Sequence, residues 1–196
     1  MHALSYFRII LWFFALGYST IPLFWLVVHP FAAYWKSRKG KIYPLLGLIW
    51  LVIITAVGFA TWPFIDLRLY STPWSLLPAA LFLISGFSLY RKLKRSNHMS
   101  SDTVIGRPEL RPEENEQNLV TTGLHGTIRH PIYVAHLLVL ASFAVASGLT
   151  IVYILLAFAI VTGAIMVRAE EKELAARFGE PYLEYRSRVP AIIPKI

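Results

Sequence analysis

Four long runs without a charged side chain constrain the fold of this chain more than any other feature of its sequence. No Asp, Glu, Lys or Arg occurs in 9–35, 42–65, 69–90 or 131–167. A helix that crosses a bilayer needs about 20 mostly apolar residues, so each of the first three runs is long enough for one crossing. The fourth run has 37 residues and would extend roughly 55 Å as a single helix, nearly twice a hydrocarbon core of about 30 Å.

The fourth run therefore predicts a hairpin of two helices. Ser147-Gly148 lies at its midpoint and disfavours a continuous helix there. With 56% hydrophobic residues in a chain of 196, there is more apolar surface than a soluble domain of this size can bury. We predict an all-α fold: a polytopic integral membrane protein with five transmembrane helices, the last two forming a tight hairpin, plus a cytoplasmic loop and C-terminal interfacial helices.

The basic residues indicate how these helices are oriented. They cluster in two connections, at 36–41 and 91–95, whereas the connection at 66–68 holds one acid and one base and the hairpin tip holds no charge. The positive-inside rule then predicts an N-terminus outside, with 91–130 and the C-terminus in the cytoplasm. Because the net charge of +8 flanks membrane spans, it indicates membrane lipids as partners and no nucleic acid. The short chain and its compact connections favour a prokaryotic plasma membrane.

The motif "RHPIY" stands at the start of the fourth run. Pro131 suits the first turn of a helix, so Arg129 and His130 lie at the cytoplasmic interface just above the helix N-terminus. Free N–H groups and the helix dipole make such an end attractive to an anion, with His130 as a further donor and Tyr133 and His136 on the face below. The alternative is a basic residue that reaches lipid headgroups above an ordinary proline-capped helix.

The motif "RAEE" stands at the cytoplasmic end of the fifth helix. The hairpin brings this end beside the start of the fourth helix, so Arg129, His130, Arg168, Glu170 and Glu171 are expected to gather at one interfacial site. Ionisable groups this close to the hydrocarbon are usually functional. We therefore predict a functional site here.

The C-terminal tail continues as helix out of the membrane. Apolar residues recur at helical spacing over 167–178, and Gly179 favours a helix end. The stretch 181–189 then predicts a short amphipathic helix with Tyr182 and Tyr185 on one side. Such a helix either anchors the chain at the membrane surface or covers the site.

Together these motifs carry a family resemblance. "NLVTTGLHGTIRHPIYVAHLL" followed by "RAEEKELAARFGEPYLEYRSRVPAIIP" resembles the C-terminal core of the isoprenylcysteine carboxyl methyltransferases, which are related to phospholipid N-methyltransferases. The resemblance covers 117–196, and we interpret 91–196 as the catalytic core, with the hairpin at 131–167. It does not cover 1–90, which we interpret as three transmembrane helices that form a scaffold and lateral wall. His29, in that part, is interpreted as an interfacial residue.

The resemblance implies S-adenosyl-L-methionine as cofactor, S-adenosyl-L-homocysteine as product, and no metal. His125 stands where the family most often has Tyr, and Ala135 where it often has Gly. Arg168 matches the substrate-side position, with Glu170 and Glu171 as the other candidate catalytic residues. The positions that match cofactor-binding residues are Gln117, Asn118, Leu119, Val120, His125, His130, Pro131, Ile132, Tyr133 and Glu171. Arg129, beside the helix N-terminus, and Tyr185, in the tail, are further candidates for cofactor binding.

The function that the resemblance implies is carboxyl O-methylation of a prenylated cysteine or a similar lipid-linked acid, which enters from the bilayer. A carboxylate is already ionised at neutral pH and needs no general base. The alternatives are a phospholipid amine or a thiol as acceptor, or a non-catalytic membrane protein that binds lipid. An amine must lose a proton, and Glu170 is then the candidate base.

Overall fold

The helices begin and end close to where the charge-free runs place them. A computed structural model describes residues 2–31, 34–35, 42–95 and 119–194. No strand occurs in these ranges, only an isolated bridge between Arg68 and Leu149. Short 3-10 turns occupy His29–Phe31, Trp62–Phe64, Pro73–Ser75 and Gly123–Gly126. The helices are α1 (His2–Val28), α2 (Ile42–Thr61), α3 (Leu76–Arg95), α4 (Pro131–Ser147), α5 (Thr150–Phe178) and α6 (Glu180–Arg188).

The long helices are those of a membrane protein. Four of them are long and apolar enough to cross a bilayer within the described ranges: α1, α2, α3 and α5. α4 is equally apolar but has only 17 residues, or about 25 Å of helix. An all-helical membrane fold is thus confirmed, whereas five crossings remain a prediction.

The break between α4 and α5 falls at the predicted midpoint. Gly148 adopts a left-handed φ of 63° and its N–H donates to the carbonyl of Ala144 at 3.1 Å. A Cβ atom here would lie 2.5 Å from the carbonyl oxygen of Tyr70. The 65–70 connection also packs against this turn, because the N–H of Leu69 donates to the Gly148 carbonyl at 2.9 Å. Glycine is therefore required at position 148 for two reasons: the left-handed backbone conformation, and the lack of room for a Cβ atom.

α1 packs along the α4–α5 hairpin and contributes to its core. Ala15 and Leu16 are buried in one cluster with Leu140, Ala144 and Val152. At one end of α1, the Arg8 Nε donates to the carbonyl of Ser147 at the hairpin turn, at 3.2 Å. At the other end, His29 reaches Glu173 of α5. α1 therefore runs parallel to α5 for most of its length.

α3 packs against the outer side of α4 through Gly86. A Cβ atom at Gly86 would lie 2.8 Å from Val139 Cγ2 and 3.0 Å from the carbonyl oxygen of Ala135. Tyr90, one turn later in α3, stacks edge-on to His136, one turn earlier in α4. The two helices are therefore antiparallel, and the basic C-terminal end of α3 lies at the same end of the molecule as the start of α4.

Candidate active site

His130 lies between the two carboxylates of "RAEE". Its side chain is 4% exposed, with Nδ1 3.2 Å from Glu170 Oε2 and Nε2 3.2 Å from Glu171 Oε1. Burial alone would lower the pKa of His130, but hydrogen bonds and charge attraction to the two glutamates raise that pKa to about 9. The imidazole is therefore a cation at neutral pH and neutralises part of the acidic pair.

Arg129 joins the same carboxylate to the C-terminal tail. Its Nε donates to Glu171 Oε1 at 2.9 Å, and its Nη2 donates to the same oxygen. Nη1 donates to the carbonyl of Arg186 at 3.1 Å and to that of Val189. The hydrogen bonds of Arg129 to Glu171 all end on Oε1, and no described residue is found to bond Oε2.

The tail pairs with the backbone just before α4. The N–H groups of Arg129 and His130 donate to the carbonyls of Pro190 and Ala191, at 2.9 Å and 3.0 Å. These two donors are therefore occupied within the chain. The anion-binding capacity predicted for this helix end is therefore limited to the N–H groups of the first turn of α4.

α6 lies against the segment that precedes α4, as the predicted amphipathic helix requires. The Tyr185 hydroxyl donates to the carbonyl of His125 at 2.7 Å, and His125 Nδ1 lies 3.2 Å from the carbonyl oxygen of Arg129. Burial raises the pKa of Tyr185 to about 12, so its hydroxyl remains a donor. Tyr182 is buried beside it, with ring centroids 6.1 Å apart.

Arg168 is not brought into this cluster. Its side chain is exposed. At about 100° per residue, its direction differs by about 110° from the mean direction of Glu170 and Glu171. The expected gathering of five charged side chains thus holds for Arg129, His130 and the glutamates, but Arg168 points elsewhere.

The remaining predicted positions surround the cluster. Pro131 is buried, Leu119 and Ile132 are half-buried and Val120 is exposed. The ring of Tyr133 stacks on that of His130 with centroids 5.6 Å apart. Gln117 and Asn118 lie outside the described residues, as does the basic segment 36–41.

His29 and Glu173 are residues that sequence reasoning missed. His29 is 5% exposed, and its Nδ1 lies 2.8 Å from Glu173 Oε2. Its ring stacks on that of Trp25 at 5.2 Å. In the sequence, His29 stands out only as a histidine before a proline at the end of an apolar run. Its pairing with Glu173 could not be predicted, because the two residues are 144 positions apart and no spacing rule connects them.

An apolar cavity of about 260 Å³ lies below the charged cluster, between α1, α4 and α5. Tyr18, Tyr133 and His136 are the polar side chains among the described residues that line it, and none of its lining residues is charged. Tyr133 belongs to both places, because it lines the cavity while its side chain hydrogen-bonds to Glu170. The cluster and the cavity therefore adjoin at Tyr133.

Comparisons with known proteins identify relatives of this chain. It is 27% identical over 192 residues to methanethiol S-methyltransferase from Crocosphaera subtropica, across 85% of this chain and 67% of the relative. It is 30% identical over 123 residues to methanethiol S-methyltransferase 1 from Bradyrhizobium diazoefficiens, across 62% of this chain and 38% of the relative. The chain is a homologue of the methanethiol S-methyltransferases, which belong to the isoprenylcysteine carboxyl methyltransferase family.

The resemblance to this family is thus confirmed, although the matches differ in extent. The cobalt-zinc-cadmium resistance protein CzcN from Cupriavidus metallidurans is 40% identical over 80 residues, across 40% of this chain and 36% of the relative. The chain spans two thirds of the Crocosphaera protein and less than two fifths of the Bradyrhizobium and Cupriavidus proteins. No protein-family model matches the chain. No solved structure matches it either.

The relatives that are named methyltransferases imply the use of S-adenosylmethionine, and the residues at the site fit this cofactor. The cofactor carries an adenine, ribose hydroxyls, a carboxylate, an ammonium group and a sulfonium. Glu171 Oε2 is an acceptor suited to ribose hydroxyls or the ammonium group. The first turn of α4 suits the carboxylate, whereas both ring nitrogens of His130 already contact Glu170 and Glu171. His125 suits stacking on the adenine.

The described residues do not form a metal site. Within the parts of the chain that the structure describes, no group of three or more His, Asp or Glu side chains could hold a metal ion. That the protein works without a metal remains a prediction.

Proposed function

We propose that the protein is an S-adenosylmethionine-dependent membrane methyltransferase whose acceptor is an apolar thiol. The observation that carries this proposal is the position of the Arg129–His130–Glu171 cluster directly above an uncharged cavity, with Tyr133 shared between them. A polar cofactor and an apolar acceptor need such a pair of adjoining environments.

The chain supplies binding, alignment and exclusion of water. S-adenosylmethionine, when bound, supplies an electrophilic methyl group on a sulfonium. The first turn of α4 would hold its carboxylate, and Glu171, oriented by Arg129 and His130, its ribose or ammonium group. The tail that pairs with Arg129 and His130 would restrict access of water from the cytoplasm. Methyl transfer benefits from this because in-line alignment and a dry site both lower its barrier.

The apolar cavity favours a thiol over an acid. A carboxylate inside it would lose its hydration and meet no cationic side chain, which is costly. A thiol is small and only weakly polar, so it enters apolar surroundings readily. Three relatives are methanethiol S-methyltransferases, and their names also favour a thiol as acceptor.

Carboxyl O-methylation of a prenylated cysteine or similar lipid-linked acid is the second candidate. Its support is the resemblance of 117–196 to the carboxyl methyltransferases, and an acid would have to be held outside the uncharged cavity. A phospholipid amine is a less suitable acceptor, because it needs a general base to remove its proton. Glu170 already pairs with the His130 cation and would be a weak base.

We place the charged cluster at the cytoplasmic face of a prokaryotic plasma membrane, with five crossings and the N-terminus outside. Lys92, Lys94 and Arg95 end α3 at the same end of the molecule as the cluster. Basic residues beside a span favour the cytoplasmic side. A lipid-tailed or apolar acceptor would then enter from the bilayer and the cofactor from the cytoplasm.

The test uses detergent-purified protein, methyl-labelled S-adenosylmethionine and two acceptors, 1-propanethiol and a farnesylated cysteine analogue. Products are extracted and treated with mild base. Label in a base-stable thioether from propanethiol is the expected result. Label that mild base releases as methanol from the cysteine analogue would instead establish the carboxyl methyltransferase, and transfer to neither acceptor would contradict both assignments.

A further inference from the structure

We propose that His136 is the general base that takes the proton from the thiol, and that the cavity accepts compact apolar thiols. This inference rests on the proposed function, because only a thiol or another acceptor that carries a proton needs a base at this position. His136 lines the cavity six residues after His130 on α4. It is separate from the charged cluster and outside the positions that the family resemblance carries over.

The hydrogen bonding of His136 fixes which nitrogen can accept a proton. Its Nδ1 lies 2.9 Å from the carbonyl oxygen of Ile132, one turn earlier in the same helix. A carbonyl oxygen can only accept, so Nδ1 carries the proton and donates it to this bond. In the neutral imidazole, Nε2 then has a free lone pair. The ring is held in one tautomer by its own helix, as a base requires.

The groups around His136 cannot take over this role. Tyr18 of α1 and Tyr90 of α3 face the ring, with centroids 5.5 Å and 5.4 Å away, and they hydrogen-bond to each other. Tyr133 is the remaining titratable group in the cavity wall, and it is held by Glu170. The α5 and tail residues that line the cavity are all apolar. Phenols are neutral at physiological pH, so the imidazole is the strongest base among the described residues of this wall.

The chemistry requires such a group. A thiol has a pKa of about 8.5 or above and is mostly protonated at pH 7, whereas the thiolate is the nucleophile. In the proposed step the S–H bond breaks and its proton passes to His136 Nε2. The thiol sulfur forms a bond to the methyl carbon of S-adenosylmethionine as the carbon–sulfonium bond breaks, and that electron pair remains on the sulfur of S-adenosylhomocysteine. The proton then leaves the imidazole for water when the product departs.

The size of the cavity limits the acceptor. Its volume of about 260 Å³ lies just below the roughly 300–1,000 Å³ of pockets that bury a drug-sized ligand. A short alkanethiol or a simple aromatic thiol fits within it. A farnesyl chain is too large and would have to extend between the helices into the bilayer.

The first experiment observes His136 directly and does not depend on turnover. The purified protein is labelled with ¹⁵N-histidine, and the imidazole resonances are assigned by comparison with the His136→Gln variant. The expected result is a neutral ring protonated at Nδ1, with an Nε2 resonance that shifts when 1-propanethiol is added without cofactor. A proton on Nε2, or an Nε2 resonance that propanethiol leaves unmoved, would overturn the inference whatever activity the variant retains.

The second experiment separates proton removal from binding by changing the acceptor. Wild type and His136→Gln are compared with 1-propanethiol and with 4-nitrobenzenethiol, which is already ionised at neutral pH. We expect the variant to lose about 100-fold or more in kcat with propanethiol, and less than about fivefold with the ionised thiol. Ser142→Ala is the control on the same helix, because its hydroxyl bonds only to the Val139 carbonyl and does not line the cavity.

The outcomes distinguish this inference from the proposed function. Wild-type protein that binds cofactor but methylates neither thiol would overturn the proposed function, and the inference with it. Wild-type protein that methylates both, combined with equal losses for both thiols in His136→Gln, would overturn only the role of His136 as base. A loss confined to propanethiol, with cofactor affinity unchanged, supports both.

Discussion

At the scale of single residues, the cluster depends on one imidazole held between two acids. His130 is buried and contacts Glu170 through one ring nitrogen and Glu171 through the other. A neutral imidazole can satisfy only one of these carboxylates as a donor. The protonation state of His130 therefore affects both the stability of this end of the protein and the shape of the site.

Stability should fall as pH rises through the pKa of His130. That pKa is about 9 in the folded protein, above the ordinary value of 6.5. The stabilisation is fully present below about pH 6.5 and is lost as pH rises through about 9, with a total on the order of 3 kcal/mol. Thermal unfolding in detergent between pH 6 and 9.5 measures this. His130→Gln should flatten the profile, and an unchanged slope in the variant would contradict the assignment.

Glu171→Gln should weaken binding of S-adenosylhomocysteine by about tenfold or more. The substitution removes the charge that holds Arg129 and His130 in place, and charged hydrogen bonds contribute roughly 1.5–3 kcal/mol each. Binding calorimetry on the detergent-solubilised protein provides the measurement. Glu184→Gln is the matched control, because Glu184 is 68% exposed and its pair with Arg188 is a surface pair. Equal affinities for wild type and Glu171→Gln would remove Glu171 from the cofactor site.

Some of these residues could be predicted and others could not, for a physical reason. "RHPIY" and "RAEE" flank a hairpin, so chain geometry alone brings Arg129, His130 and the two glutamates together. The exposure of Arg168 follows from the rotation of α5 about its axis, which depends on side-chain packing. The His29–Glu173 pair depends on where α1 docks, and local sequence does not encode that.

At the scale of elements, the turn between α4 and α5 determines whether the hairpin forms. Gly148 combines a left-handed φ with close contact to Tyr70. The turn was predictable from Ser147-Gly148 because glycine marks such breaks. Its contact with the 65–70 connection was not, since that pairing joins distant parts of the chain.

Gly148→Ala should lower the free energy of unfolding by about 2 kcal/mol or more. The left-handed conformation costs a residue with a Cβ roughly 1–2 kcal/mol, and the new atom would lie 2.5 Å from the Tyr70 carbonyl oxygen. Gly47→Ala is the control, because Gly47 is helical with open space around its Cβ position. Thermal unfolding of both variants in one detergent tests this, and similar melting temperatures would show that the turn tolerates a side chain.

At the scale of the whole molecule, the charge-free runs correctly predicted an all-helical membrane protein. They could not predict how α1 packs, because apolar runs specify that a helix is buried in lipid or protein but not which neighbour it contacts. α1 lies in the groove of the hairpin and supplies Tyr18 to the cavity wall. The N-terminal part of the chain therefore contributes to the site as well as to the scaffold.

Single introduced cysteines should report the predicted orientation. The chain has no cysteine, so Asp66→Cys and Glu180→Cys each give one reactive thiol at an exposed position. We expect a membrane-impermeant maleimide to label Asp66→Cys in intact cells and Glu180→Cys only after permeabilisation. The opposite pattern would invert the topology, and labelling of both in intact cells would contradict the number of crossings between them.

In the proposed enzyme, the charged cofactor site and the apolar acceptor cavity meet at Tyr133. An experimental structure of the protein with S-adenosylhomocysteine tests it most directly. The account predicts the cofactor carboxylate at the first turn of α4, a ribose or ammonium contact to Glu171, and the sulfur at the Tyr133 end of the cavity. Density for the cofactor elsewhere, or a sulfur atom walled off from the cavity, would contradict it.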